Sequence, residues 1–133
     1  MKRLAAVLLA LAMAGPVSAD SYRFRVYIKW CQHYQQLMGL EDETFTYVHY
    51  HHPDYCAWVS SPLLEGFHPP YLVGLSEPDF ACRSVSVKKL ALHEMCHIRL
   101  HHTEISDSDL SVAEKHYEVR ECMKAYEERD KAQ

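Results

Sequence analysis

Two histidines stand four residues apart in this chain, and a glutamate directly follows the first of them. Positions 93–97 are His-Glu-Met-Cys-His, an HExxH pattern. On a helix, residues i and i+4 share one face, so His93 and His97 can both bind a single metal ion. Zinc lowers the pKa of its bound water toward about 7, and Glu94 can take the proton as the water attacks a carbonyl group. The pattern therefore predicts one Zn²⁺ per chain, with His93 and His97 as ligands and Glu94 as the general base.

The motif needs a helix, and the spacing of apolar residues predicts three helices in the chain. The helix that carries the motif should span about residues 85–102. A polar turn follows, and the capping-box pattern Ser-Val-Ala-Glu at 111–114 lies near the start of a long helix over about 109–129. Another helix is predicted at 22–38, where the helical period covers more of the segment than a competing strand period and ends at Gly39.

The segment between the first two helices is rich in β-branched and aromatic residues. Residues 44–50 form the first predicted strand, and residues 55–60 are expected to return beside it as a hairpin partner. Residues 61–70 contain three of the six prolines and are predicted to be mostly loop. The short apolar run at 71–75 is the third predicted strand. The order helix, three short strands, helix, helix predicts an α+β fold in which helices flank one small sheet.

The motif and this order of elements resemble those of the zincin zinc metallopeptidases. The resemblance covers about residues 45–126 in the order of elements, and in residue identity it covers the HExxH helix. It looks most like the compact members, both gluzincin-like peptidases and Spartan-type proteases. By this resemblance we expect a zincin-like peptidase that hydrolyses peptide bonds with metal-activated water. Substrates of such enzymes lie extended along an edge strand, which here would be Tyr71–Leu75.

The resemblance leaves the third zinc ligand open. Metzincins continue the motif with a glycine and a third histidine, but Leu100 and Thr103 stand at those positions. Gluzincins take a glutamate from the following helix about 20 residues on, and Spartan-type enzymes take a histidine from a similar place. At a rise of about 1.5 Å per residue, a ligand level with the metal should lie roughly six to nine residues inside that helix, a window that holds both His116 and Glu118. We favour Glu118, because Cys122 and Ala125, one and two turns further on, are small and would let the two helices approach. Glu114 stays an alternative, with Glu118 then hydrogen-bonded to a histidine.

The chain contains five cysteines, at positions 31, 56, 82, 96 and 122. In an oxidising compartment most of them should form disulfides, and the odd number leaves one unpaired or bonded to another chain. Cys96 lies within the motif and Cys122 lies on the helix that follows. A disulfide between them would join the two helices that carry the predicted metal ligands.

The first 19 residues have the features of a cleaved secretory signal. Lys2 and Arg3 precede an apolar run at 4–14, and small residues end the segment. The run is too short to span a bilayer. We therefore expect residues 20–133 to form a single secreted or periplasmic domain, a monomer without a membrane anchor after signal cleavage. The formal charge of −4 offers no basic patch for nucleic acid, so the expected partner is a peptide or protein substrate.

Two other functions fit the same residues. Ten histidines are consistent with a non-catalytic periplasmic zinc-binding protein, and five cysteines are consistent with a disulfide-stapled binding module whose HExxH pattern is accidental. His101 and His102 could extend the metal site, although histidines are also typical of a helix C-terminus. Tyr117 and Tyr126 are candidates for donating a hydrogen bond to an oxyanion.

Overall fold

The computed structural model of the chain describes residues 21–49, 54–60, 71–77, 79–102 and 112–132. The predicted signal segment at 1–19 and the predicted loop at 61–70 lie outside the described residues. The described part has an α+β architecture, as the sequence predicts, with four helices and three strands. Their order is α1 (Ser21–Leu37), β1 (Phe45–His49), β2 (Ala57–Ser60), β3 (Tyr71–Leu75), α2 (Phe80–Arg83), α3 (Val87–Arg99) and α4 (Val112–Ala132). None of these helices is both long enough and apolar enough to cross a membrane.

The three strands form one mixed sheet in the order β1-β3-β2. β1 runs parallel to β3, and β2 runs antiparallel to β3. The predicted hairpin between residues 44–50 and 55–60 is therefore wrong, and so is the prediction of Tyr71–Leu75 as an edge strand. The residues of β3 are almost all buried, as expected for the central strand of a sheet. An edge strand with one face in water would alternate apolar and polar side chains, and Tyr71–Leu75 does not.

The centre of the sheet depends on a glycine in β3. Gly74 faces Trp58 of β2, and a Cβ atom at position 74 would lie only 2.1 Å from the Trp58 ring. The Gly74 carbonyl oxygen also accepts a hydrogen bond from the buried hydroxyl group of Tyr27, at 3.2 Å, and this bond connects α1 to the sheet. Glycine is needed here because any side chain would push the indole ring away from the strand.

α1 packs against α3 and supplies a large part of the core. The buried residues Tyr27, Cys31 and Tyr34 recur at helical spacing, so the helix predicted at 22–38 is confirmed and the competing strand period is not realised. α3 also contacts β2 and α4, and this side of the helix carries the two histidines of the motif. The core residues of α3 are Ala91, Leu92, Met95, Cys96 and Ile98.

Two disulfides connect the elements around these histidines. Cys96 and Cys122 join α3 to α4 with their Cα atoms 6.0 Å apart, which confirms the predicted pair. Cys56, which directly precedes β2, is joined to Cys82 of α2 with a Cα–Cα distance of 5.3 Å. Cys31 is the unpaired fifth cysteine, and it is fully buried in the core.

α3 and α4 run antiparallel. As residue numbers rise along α3, the numbers of the α4 residues that they contact fall. The contacts that show this are Lys88–Asp130, Cys96–Cys122 and His102–Glu118. The Asp130 end of α4 also contacts α1. One Asp130 oxygen lies 2.8 Å from His33 Nε2, and the other accepts a hydrogen bond from the Tyr34 hydroxyl at 2.8 Å. Asp130 therefore links α1, α3 and α4.

Candidate metal centre

Three histidines from two helices converge on one point. His93 and His97 lie one turn apart on α3, and His116 reaches the same point from α4. One ring nitrogen from each lies within 4.8 Å of the other two. The Nε2 atoms of His93 and His97 are 3.2 Å apart. Two nitrogen ligands on a tetrahedral Zn²⁺ are separated by about 3.3 Å when each lies about 2.05 Å from the metal, so this spacing fits a shared ion.

His93 and His97 are held in the neutral form that binds metals. Burial lowers the pKa of His97 to about 3, and the neighbouring rings of His93, His102 and His116 and the charge of Lys115 act in the same direction. Burial also lowers the pKa of His93, with a further contribution from His116. A neutral imidazole has a nitrogen lone pair available, so these two residues can bind a cation at neutral pH without first losing a proton.

Glu94 is buried next to the three histidines. It is 7% exposed, and it lines both of the cavities that open onto them. Burial raises the pKa of its carboxyl group to about 8. A nearby positive charge lowers a carboxyl pKa, so a bound cation would favour the ionised form of Glu94. A carboxyl group whose pKa lies near the working pH can accept a proton and give it back, as a general base must.

The end of α3 turns His102 back toward the motif. His101 adopts a left-handed backbone conformation with φ 60°. Its N–H donates to the Ile98 carbonyl at 3.0 Å, and the N–H of His102 donates to the His97 carbonyl at 2.9 Å. These two bonds form a Schellman motif, and histidine is one of the few residues other than glycine that adopt this conformation with some frequency. The motif brings the His102 side chain against His97, where it is 1% exposed.

A chain of hydrogen bonds connects His97 to a carboxylate on α4. His97 Nδ1 lies 3.0 Å from His102 Nδ1, and His102 Nε2 lies 3.1 Å from Glu118 Oε2. If the Nε2 lone pair of His97 binds a metal, the hydrogen of His97 must be on Nδ1, where it can be donated to His102 Nδ1. The hydrogen of His102 is then on Nε2 and is donated to Glu118. One tautomer of each ring satisfies every contact, and partners of this kind orient a ligand and raise its basicity.

The structure separates the three candidates for the third ligand. His116 lies in the cluster with the motif histidines, whereas Glu118, which the sequence favours, is directed at His102. Glu114 is outside the cluster that the described residues form. His116 and Glu118 both lie at the predicted level of α4, but two residues correspond to about 200° of rotation around a helix. Their position along the helix axis therefore could not distinguish His116 from Glu118. Glu118 contacts the site only indirectly, through its contact with His102.

The histidines lie where two open cavities meet. One cavity, of about 600 Å³, lies between α3 and α4, and the other, of about 380 Å³, lies beside β2. Both are lined by Ala57, His93, Glu94 and His116. They therefore adjoin at the metal-binding residues, and we call the two cavities together the groove. A molecule that passes over these residues can reach into both cavities.

The remaining candidates lie apart from this groove. Tyr117 is 59% exposed, Tyr126 packs against the core, and neither lines the two cavities as the described residues form them. His102, in contrast, has a larger part in the site than its place after the helix suggested. The sequence does contain a pattern from which the contact between His102 and His97 could have been predicted. His102 stands five residues after His97, which is the spacing of the two positions that a Schellman motif brings together.

Comparisons with known proteins yield no relative of this chain: no protein-family model, no curated protein and no solved structure matches it. Its function must therefore be argued from the three histidines, Glu94 and the groove.

Proposed function

We propose that this chain is a zinc-dependent peptidase that hydrolyses peptide bonds with Glu94 as its general base. The observation that carries the proposal is the convergence of His93, His97 and His116 beside a buried glutamate in an open groove. The proposal extends the resemblance of the HExxH helix to compact zincins. A third histidine on the following helix is the arrangement that a Spartan-type site would have.

The positions of the three histidines and of Glu94 assign each a role in the proposed reaction. A bound Zn²⁺ supplies an electrophile that polarises a carbonyl group and acidifies water. His93, His97 and His116 would hold the ion beside the groove. Glu94 accepts a proton from the attacking water and then donates it to the leaving amine. Burial of Glu94 favours this return of the proton, because it raises the pKa of the carboxyl group above the ordinary value of about 4.

The substrate would lie along β2. This strand is at one edge of the sheet, and among the described strands it pairs only with β3. A free strand edge can bind an extended peptide as an added strand. β2 also contacts α3, and its residues Trp58 and Val59 line the cavity beside the histidines. A peptide on this edge would carry a bond past Glu94, and because the groove continues on both sides we expect cleavage of internal bonds.

The disulfides support a place for this activity outside the reducing cytosol. Cys56–Cys82 and Cys96–Cys122 require an oxidising compartment to form and persist. Together with the predicted signal at 1–19, they support a secreted or periplasmic peptidase whose partner is a peptide or protein substrate.

The test compares the wild-type protein with Glu94→Gln, which keeps the size of the side chain and removes the base. Zinc-loaded wild type should cleave members of a mixed peptide library, lose activity with a chelator and regain it with zinc. Glu94→Gln should still bind zinc but cleave at least about 10²-fold more slowly. Glu128→Gln, an exposed glutamate on α4, is the matched control and should cleave at the wild-type rate.

Two outcomes would contradict the proposal. Zinc binding without cleavage of any peptide by the wild type would favour a non-catalytic zinc-binding protein. Failure to bind zinc at all would favour a disulfide-stapled binding module.

A further inference from the structure

The larger cavity has a cationic rim, although the chain as a whole has a net charge of −4. Lys89 of α3 and Arg120 and Lys124 of α4 line it, and its acidic residues are Glu94 and Glu127. We propose that this cavity binds an acidic side chain of the substrate, aspartate or glutamate, close to the bond that is cleaved. The inference rests on the proposed peptidase function and names the class of substrate that the groove selects.

The position of the cations relative to the histidines sets which substrate residue they can reach. Lys89 is four residues before His93 on α3, and Arg120 is four residues after His116 on α4. Because the two helices run antiparallel, both displacements point toward the same end of the groove. Four helical residues span about 6 Å, and an extended peptide advances about 3.3 Å per residue. The cations would therefore meet a side chain about two residues from the cleaved bond.

Lys89 and Arg120 are available to bind a carboxylate. Both are exposed, and among the described residues neither takes part in an ion pair, whereas Lys124 lies 3.3 Å from Glu121. The cavity is lined by three cationic side chains and two carboxyl groups, and an excess of charge of one sign on the walls of a cleft raises the local concentration of the opposite charge. The apolar residues of the same cavity, which suit the methylene groups of a bound side chain, are Val85, Leu90 and Met123.

An internal acidic residue fits this cavity better than the terminal carboxylate of a substrate. The cavity holds about 600 Å³, which is far more than one terminal carboxylate occupies. The second cavity adjoins it at His93 and His116, so a bound peptide can extend in both directions.

Zinc-loaded Glu94→Gln allows affinity to be measured on intact peptides, because it should not cleave them. Two peptides with blocked ends are compared, identical except for glutamate or glutamine two residues from the central bond. We expect the glutamate peptide to bind about 3- to 10-fold more tightly at low salt, with the advantage shrinking at about 0.5 M salt, because exposed ion pairs are weak and screened. Adding Arg120→Glu should remove the preference, and adding Lys131→Glu, an exposed lysine that does not line the cavity, should retain it.

Three results would overturn the inference. The first is equal affinity for the two blocked peptides at low salt. The second is a preference that disappears when zinc is removed, because the carboxylate would then be binding the metal rather than the cationic rim. The third is a preference for a free terminal carboxylate that an internal glutamate does not reproduce. Zinc content is measured on the same samples, so a failure of the metal site is distinguished from a failure of the rim.

Discussion

Removal of the His102 side chain should weaken zinc binding without removing a ligand. His102 Nδ1 lies 3.0 Å from His97 Nδ1 and the His102 side chain is 1% exposed, so His102→Ala leaves the Nδ1 group of His97 without its partner. Loss of such a partner typically reduces metal affinity by about 10- to 100-fold, which corresponds to about 1.4–2.8 kcal/mol. Glu118→Ala removes the group that His102 contacts in turn, and it should reduce the zinc affinity by an equal or smaller factor.

The affinity is measured by competition between the protein and a chromophoric zinc chelator near neutral pH. Glu118→Gln keeps an oxygen that can accept the hydrogen from His102, so it should retain more affinity than Glu118→Ala. Glu121→Ala removes a glutamate three residues further along α4 that pairs with Lys124, and it should leave the affinity unchanged.

An unchanged zinc affinity in His102→Ala would refute this account of the hydrogen-bond chain. A loss in Glu118→Ala that exceeds the loss in His102→Ala by orders of magnitude would also refute it, because Glu118 would then bind the metal directly.

Three further predictions concern the fold. Gly74→Ala should destabilise the protein by about 1–3 kcal/mol in urea unfolding, because its Cβ would collide with Trp58. Burial raises the pKa of Cys31, so iodoacetamide followed by mass spectrometry should label no thiol in the native protein and one after unfolding without reductant. Burial alone would raise the pKa of Asp130, but hydrogen bonds from two α1 side chains and the charge of Lys88 lower it. Asp130→Asn should therefore reduce the free energy of unfolding by about 1–3 kcal/mol near pH 7. Urea titrations at several pH values should show the full difference in unfolding free energy above a pH of about 4. The difference should vanish as the pH falls through the lowered pKa of Asp130 in the folded state.

The helices could be predicted from the sequence because their apolar spacing extends over many residues. Tyr27, Cys31 and Tyr34 form one face of α1, and that period identified the helix despite the alternation at its start. The order of the strands could not be predicted in the same way. Each strand has only four or five residues, and pairing depends on which strand is buried on both faces. The apolar run Tyr71–Leu75 carried that signal, since a continuous apolar strand is typical of the centre of a sheet.

The site could be predicted as far as a single helix determines it. His93 and His97 share a face by helical geometry alone, and the structure places them together with Glu94 between them in sequence and beside them in space. The choice between His116 and Glu118 depends on how α4 is rotated about its axis, which packing against α3 decides. Cys96–Cys122 fixes part of that packing, and the sequence did predict this pair.

A zinc site made of His93, His97 and His116 can be tested by the intact mass of the native protein and its variants after loading with zinc. We expect one zinc ion per chain in the wild type and in Glu94→Gln, and loss of the ion in both His93→Ala and His116→Ala. Glu118→Ala should retain the ion at saturating zinc. A wild type that binds no zinc would exclude this metal site, and a His116→Ala protein that keeps the ion while Glu118→Ala loses it would show that Glu118 is the third ligand.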